Sequence, residues 1–156
     1  MSCCESCSGV LNPGDFFCDA CGKACDPDRA RGFSMRRVVN RGDTIQLDYD
    51  LVDSQGIPLN TSATGVKIWF TVKNYLTDAD QNALAQETLN NGGIINRNSP
   101  ISGQVRVTVP ATATQFFFNG TTKAYYDLQV LDSYGNVTTV EKGVFLALPD
   151  VTQSTS

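Results

Sequence analysis

A mainly β protein is predicted from three observations on this sequence. Short runs in its larger, C-terminal part alternate apolar and polar residues with a period of two, as strands with one buried face do. Turn-forming clusters punctuate those runs, notably DSQGIP at 53–58, NNGG at 90–93 and DSYGN at 132–136. All six cysteines fall within the first 25 residues, which sets a small cysteine-rich head apart from a globular body. A chain of 156 residues, 41% hydrophobic and 18% charged, suffices for one ordinary domain with its own core plus a small appendage.

The elements follow in order. Residues 1–25 offer only Val10, Leu11, Phe16 and Phe17 as bulky apolar groups, too few for a core, so a covalent or metallic staple is expected there. Residues 26–33 are polar, contain a proline and read as a linker. A first strand is expected at 35–40. In the next, Ile45, Leu47, Tyr49 and Leu51 alternate with Gln46, Asp48 and Asp50; in the third, Val66, Ile68, Phe70 and Val72 oppose Lys67, Trp69 and Thr71. Further strands are expected at 104–109, 124–131 and 137–148, with Val105, Val107, Val109, Tyr126, Leu128 and Val130 pointing inward. DSYGN is short enough to close a hairpin between the last two.

Residues 77–89, TDADQNALAQETL, mix Ala, Leu, Gln and Glu in helix-favouring proportion, with Thr77 or Asp78 available as N-cap. They are expected to form a short helix or turn crossing between strands, a helical crossover. About seven strands in roughly 115 residues with one crossover predict an immunoglobulin-like β-sandwich over residues 34–149. The last residues, 150–156, read as a polar tail.

Composition removes several classes of function. The formal charge of −4 argues against binding a nucleic-acid backbone, which calls for clustered basic residues. Arg29, Arg31, Arg36, Arg37 and Arg41 do gather around the linker, and are read as a solvated stretch or a contact to an acidic protein neighbour. No apolar run is long enough to span a bilayer, and MSCCESC lacks the features of a secretion signal, so synthesis in a cytoplasm is expected. The absence of histidine removes the commonest general base and the usual activator of a Ser or Cys nucleophile, and no enzyme is predicted. Asp48, Asp50 and Asp53 read as solvated strand residues. Asp78, Asp80 and Asn82 begin like a calcium loop but lack its glycine and closing glutamate, and are read as helix capping.

Within the head, Cys4/Cys7 and Cys18/Cys21 form two Cys-x-x-Cys pairs separated by ten residues. Each pair places two sulfurs on one tight loop, and two such loops can converge on a tetrahedral ion. Four thiolates select zinc, or less often an iron–sulfur centre; a disulfide-held loop is the other way to staple this segment. With four ligand positions filled by protein, zinc would be structural and would contribute folding free energy instead of chemistry. The run NPGDFFCDACG, together with the first pair, resembles the short zinc-ribbon family over residues 4–22, and that resemblance implies Cys4, Cys7, Cys18 and Cys21 as ligands. Cys3 and Cys25 lie outside the pattern, and are open to serving as alternative ligands, pairing with each other or bridging to a neighbouring chain.

The body carries a second resemblance. Val38–Thr44, Asp53–Leu59 with Thr61, Val66–Lys73, Gly103–Val105, Tyr125–Val130, Asp132–Thr139 and Gly143–Phe145 follow one another in an order similar to the immunoglobulin-like domain at the N-terminus of phage baseplate upper proteins. That family's domain is an attachment module, so the resemblance implies a non-catalytic structural protein of a tailed-bacteriophage virion. Its partners would be other tail, baseplate or capsid proteins in a multi-copy assembly, with no small-molecule substrate, nucleic acid or membrane. The family's domain is commonly followed by a receptor-binding region; here the sequence stops soon after the last strand, so only attachment within the particle is expected. Two other readings stay open: a disulfide switch responding to redox change in the virion, and a cellular zinc-ribbon interaction protein.

Interface candidates are aromatic or basic. Trp69 should stand on the face opposite Ile68, Phe70 and Val72, partly exposed unless the crossover covers it. Of the consecutive Phe116, Phe117 and Phe118, at least one should lie outside the core, because successive strand residues face opposite ways. Arg36 and Arg37 complete the set.

Overall fold

A computed structural model describes residues 2–4, 7–10, 31–115 and 123–148. The described residues are mainly β, in three sheets. Strands β1 (Ser2–Cys4) and β2 (Cys7–Val10) form an antiparallel pair by themselves. The body has two sheets: β3 (Met35–Asn40), β10 (Val137–Leu148), β9 (Lys123–Leu131), β5 (Lys67–Lys73) and β6 (Ala85–Thr88) in that spatial order, and β4 (Ile45–Asp50), β8 (Gln104–Val109) and β7 (Ile94–Asn96). Every pairing is antiparallel except β3 with β10, which is parallel. The first and last strands of the body thus lie side by side.

Both sheets turn their apolar faces to one core. Leu47, Val105, Val107 and Ile94 come from the three-stranded sheet, and Ile68, Phe70, Leu128 and Phe145 from the five-stranded one. Strict alternation produces this: in β8 the inward valines are fully covered while Gln104, Arg106 and Thr108 between them are half-buried. Near the centre Tyr126 stacks on Phe145 at 4.4 Å between ring centroids and on Phe70 at 5.3 Å, contacts that add about 0.5–1.5 kcal/mol each beyond area burial. The outer face of the three-stranded sheet is charged: Arg106 makes a two-pronged bond to Asp48 at 2.7 and 2.9 Å, and Arg97 approaches the same carboxylate at 3.4 Å.

One expectation needs correcting. Within residues 77–89 the helical part is a single 3-10 turn, Asp80–Asn82, between strands; the helical crossover is replaced by the strand β6 at Ala85–Thr88, paired antiparallel with β5 and forming the edge of the larger sheet. The turn is preceded by extended Ala79 with no side-chain cap; Asp78 instead accepts a bond from the Tyr75 backbone N–H. Pairing to an exposed backbone edge outweighs the helix preference of Ala, Gln and Glu, which is worth only tenths of a kcal/mol per residue. Among the described residues the α-helix is a single turn, α1 (Ala111–Thr114), anchored where the buried Thr114 hydroxyl donates to the Asp43 carbonyl at 2.6 Å. Strand β7 was not predicted either.

Candidate functional site

Three places in the described residues gather side chains with chemical potential. The first is a polar cluster at the rim of the core. Arg37 Nε donates to the Tyr126 hydroxyl at 2.9 Å, Arg37 Nη2 to Glu141 Oε1 at 2.9 Å, and the Tyr126 hydroxyl to the same carboxylate oxygen at 2.9 Å. Glu141 shares the inward face of β10 with Gly143 and Phe145 by simple alternation and lies opposite Leu128; Thr139 already lies opposite Gln129, so Val140 is the extra residue of a bulge that shifts the phase of the strand just before Glu141. Burial raises the pKa of Tyr126, and burial together with the nearby Glu141 carboxylate raises that of Tyr49. Both phenols therefore stay protonated, and the cluster ties β3, β9 and β10 together.

The second place is one end of the two sheets, where two turns of like sequence meet. In Asp53-Ser-Gln-Gly-Ile and Asp132-Ser-Tyr-Gly-Asn, each aspartate's Oδ1 accepts from the backbone N–H groups two and four residues on, at 2.8 and 3.1 Å in the first and 3.0 and 2.9 Å in the second. Gly56 and Gly135 hold φ of 77° and 85°, a region that favours glycine. The turns are joined directly. Asp132 Oδ2 accepts from the Ser54 N–H at 2.9 Å, and Asn136 Nδ2 donates to Ser54 Oγ at 3.1 Å. The hydrogen bonds of Ser54, then of the Asn136 and Tyr134 backbones, hold the Asp132 carboxyl at about 2, against the pull of desolvation. Ile57, Tyr134 and Val137 stand exposed around this joint.

The third is a hollow of about 530 Å³ on the outer face of the five-stranded sheet. Register places Trp69 between Thr88 of β6 and Gln129 of β9, and Thr71 between Gln86 and Asp127. At the far end Phe33 meets Tyr125 edge-on at 5.3 Å, and Lys142 Nζ lies 5.6 Å from the Phe33 ring centre. Gln129 Nε2 donates to Asp127 at 3.0 Å, Gln86 Nε2 to Thr71 Oγ1 at 3.3 Å, and Lys73 pairs with Asp80 at 2.7 Å. Partial burial raises the pKa of Asp127.

The residues singled out by sequence are placed as follows. Trp69 is half-buried on the outward face, and the covering crossover is replaced by β6 beside it. Arg37 is engaged within the polar cluster, while Arg36 is exposed on β3. The backbone of Cys4 lies opposite that of Cys7 across the β1–β2 pair. Cys3 is in β1; Cys18, Cys21, Cys25, Phe116, Phe117 and Phe118 lie outside the described residues. Among the described residues no three potential metal ligands converge, and Asp78 and Asp80 serve turn bonding and the Lys73 ion pair. Sequence reasoning did not find Gln86, Asp127 or Gln129. Their placement beside Trp69 depends on register between strands.

No protein-family model matches the sequence, and no curated protein matches it significantly. Among solved structures, one similar chain is the SrpA adhesin R347E mutant from Streptococcus sanguinis, at 15% identity and a TM-score of 0.37, covering 72% of this chain. The match spans 54% of that structure's chain.

Proposed function

We propose that this chain is a non-catalytic attachment protein of a tailed-phage virion, a zinc ribbon joined to an immunoglobulin-like domain that docks onto other virion proteins. The observation that carries the reading is the joint between the twin turns. Asp53–Leu59 and Asp132–Thr139 are two of the segments through which the sequence resembles the phage baseplate domain, and they bond to each other through Ser54, Asp132 and Asn136. Strand order supports the immunoglobulin-like assignment: β4, β8 and β7 correspond to the B, E and D strands, and β10, β9, β5 and β6 to G, F, C and C′, with β3 as an A strand laid along G.

The β1–β2 pair supports the ribbon, since Cys4 opposite Cys7 is the backbone arrangement of a metal-binding knuckle. Cys18 and Cys21 would complete a set of four thiolates, and zinc held there would stabilise the fold of the head without an open coordination position. Two linked contact modules would then hold more tightly than either alone, through effective concentration.

The test is to purify particles from cells that produce this chain, and to cross-link them before mass spectrometry. The reading expects the chain to copurify with particles at fixed stoichiometry and to cross-link to tail, baseplate or capsid proteins. Expression of the chain without incorporation into particles would overturn it.

A further inference from the structure

The hollow beside Trp69 has the composition of a ligand site more than that of a protein-docking face. Its floor is Thr71, only 9% exposed, which lies between Trp69 and Lys73 on the outer face of β5 and between Gln86 and Asp127 across the sheet. A long side chain there would level the surface; a threonine lets it dip, giving a hollow of about 530 Å³, within the range of small-molecule sites. Around the floor stand two amides, Gln86 and Gln129, each able to donate and accept, and the carboxylate of Asp127.

Charge narrows the ligand class. Asp80 is paired with Lys73, and Asp127 is influenced by Lys142 and Lys73. The hollow therefore presents carboxylates and ammonium groups in balance, selecting neither an anion nor a cation. An apolar chain laid over it would strip water from Asp127 and the amides without replacing their hydrogen bonds, which disfavours it. What fits is a neutral molecule with an apolar face for an aromatic ring and hydroxyls around its edge for amides and a carboxylate. A pyranose has both. The geometry points to a binding site for a short neutral oligosaccharide on the outer face of β5, β6 and β9, with Trp69 as the stacking platform and Gln86, Asp127 and Gln129 bonding sugar hydroxyls.

Trp69 is the only tryptophan, so intrinsic fluorescence reports on this hollow directly. The full chain is titrated with cellotriose, maltotriose and triacetylchitotriose, and with charged controls, a sialic acid trimer and a glucosamine trimer. The proposal expects at least one neutral trisaccharide to shift Trp69 emission saturably, with millimolar or tighter affinity. Gln129→Ala should weaken that binding several-fold at unchanged circular dichroism, and Trp69→Ala, followed by calorimetry, should weaken it at least about tenfold. Should Trp69→Ala fail to fold, Gln129→Ala and Gln86→Ala decide the matter alone. Emission unmoved by every neutral sugar, a response to the charged controls only, or affinity unchanged in both glutamine variants would overturn it.

Discussion

The Tyr126 ring lies directly against the backbone of Gly143, its partner across the β9–β10 pair. A Cβ at position 143 would stand 2.5 Å from Tyr126 Cζ and 2.6 Å from Cε1, well inside van der Waals contact. This is what lets the phenol lean across its neighbour strand, keep its stack on Phe145 and reach Glu141 and Arg37. One missing side chain thus positions both the aromatic centre and the polar cluster.

Gly143→Ala should accordingly destabilise the body by about 1–3 kcal/mol, the usual cost of overpacking. The penalty should shrink when Tyr126 is replaced by Leu, because the ring it strikes is gone. Chemical denaturation of the two single variants and the double variant measures that coupling; strictly additive effects would contradict the contact.

Asp132 should make stability fall in acid. Its carboxyl sits at about 2 in the fold and near 3.9 in an unfolded chain. As pH drops from about 4 toward 2, the unfolded state takes up a proton that the folded state does not, so folding loses this contribution across that window. Thermal midpoints measured from pH 7 to 2 should fall less steeply below pH 4 in Asp132→Asn than in the parent. Equal slopes would show that the joint between the turns does not depend on this charge.

The strands were legible because their inner residues repeat without interruption: Val105, Val107 and Val109, or Ile68, Phe70 and Val72, admit one register against a core. The same pattern turned Trp69 outward. Strand β6 was not legible, since Ala-Gln-Glu-Thr has no apolar alternation and its state is decided by the edge of β5 beside it. Nor was the polar cluster. Glu141 shares the inward face of β10 with Gly143 and Phe145, but that it meets Arg37 and the Tyr126 hydroxyl there depends on three strands lying side by side, and the bulge at Val140 breaks the alternation that would be read from the start of the strand. The hollow needed the registers of three strands at once, which no local reading of Gln86, Asp127 or Gln129 contains.

Asp127 offers a prediction of the opposite sign. Desolvation raises its pKa, while the Gln129 bond and the charges of Lys142 and Lys73 only partly offset this. A raised carboxyl contributes stability below its unfolded pKa and loses it as pH rises through the folded value, so at neutral pH the charged group is a net cost. Asp127→Asn should raise the thermal midpoint at pH 7, with the gain vanishing near pH 3, where both states are protonated. A variant less stable than the parent at pH 7 would show that the lysines outweigh burial.

The cysteine-rich head should stand or fall on metal without taking the body with it. Protein purified under reducing conditions, without added metal, is expected to hold one zinc per chain and four protected thiols. Cys18→Ser removes one of the proposed ligands, and three thiolates hold zinc far more weakly than four, so the metal should be lost together with hydrogen-exchange protection of β1 and β2. Protection of β5, β8 and β9 should be unchanged, because their inner faces are already closed by the core shared between the two sheets. Loss of protection in both regions at once would argue against two independent modules. Metal-free protein whose thiols oxidise readily in air would instead favour disulfides as the staple of the head.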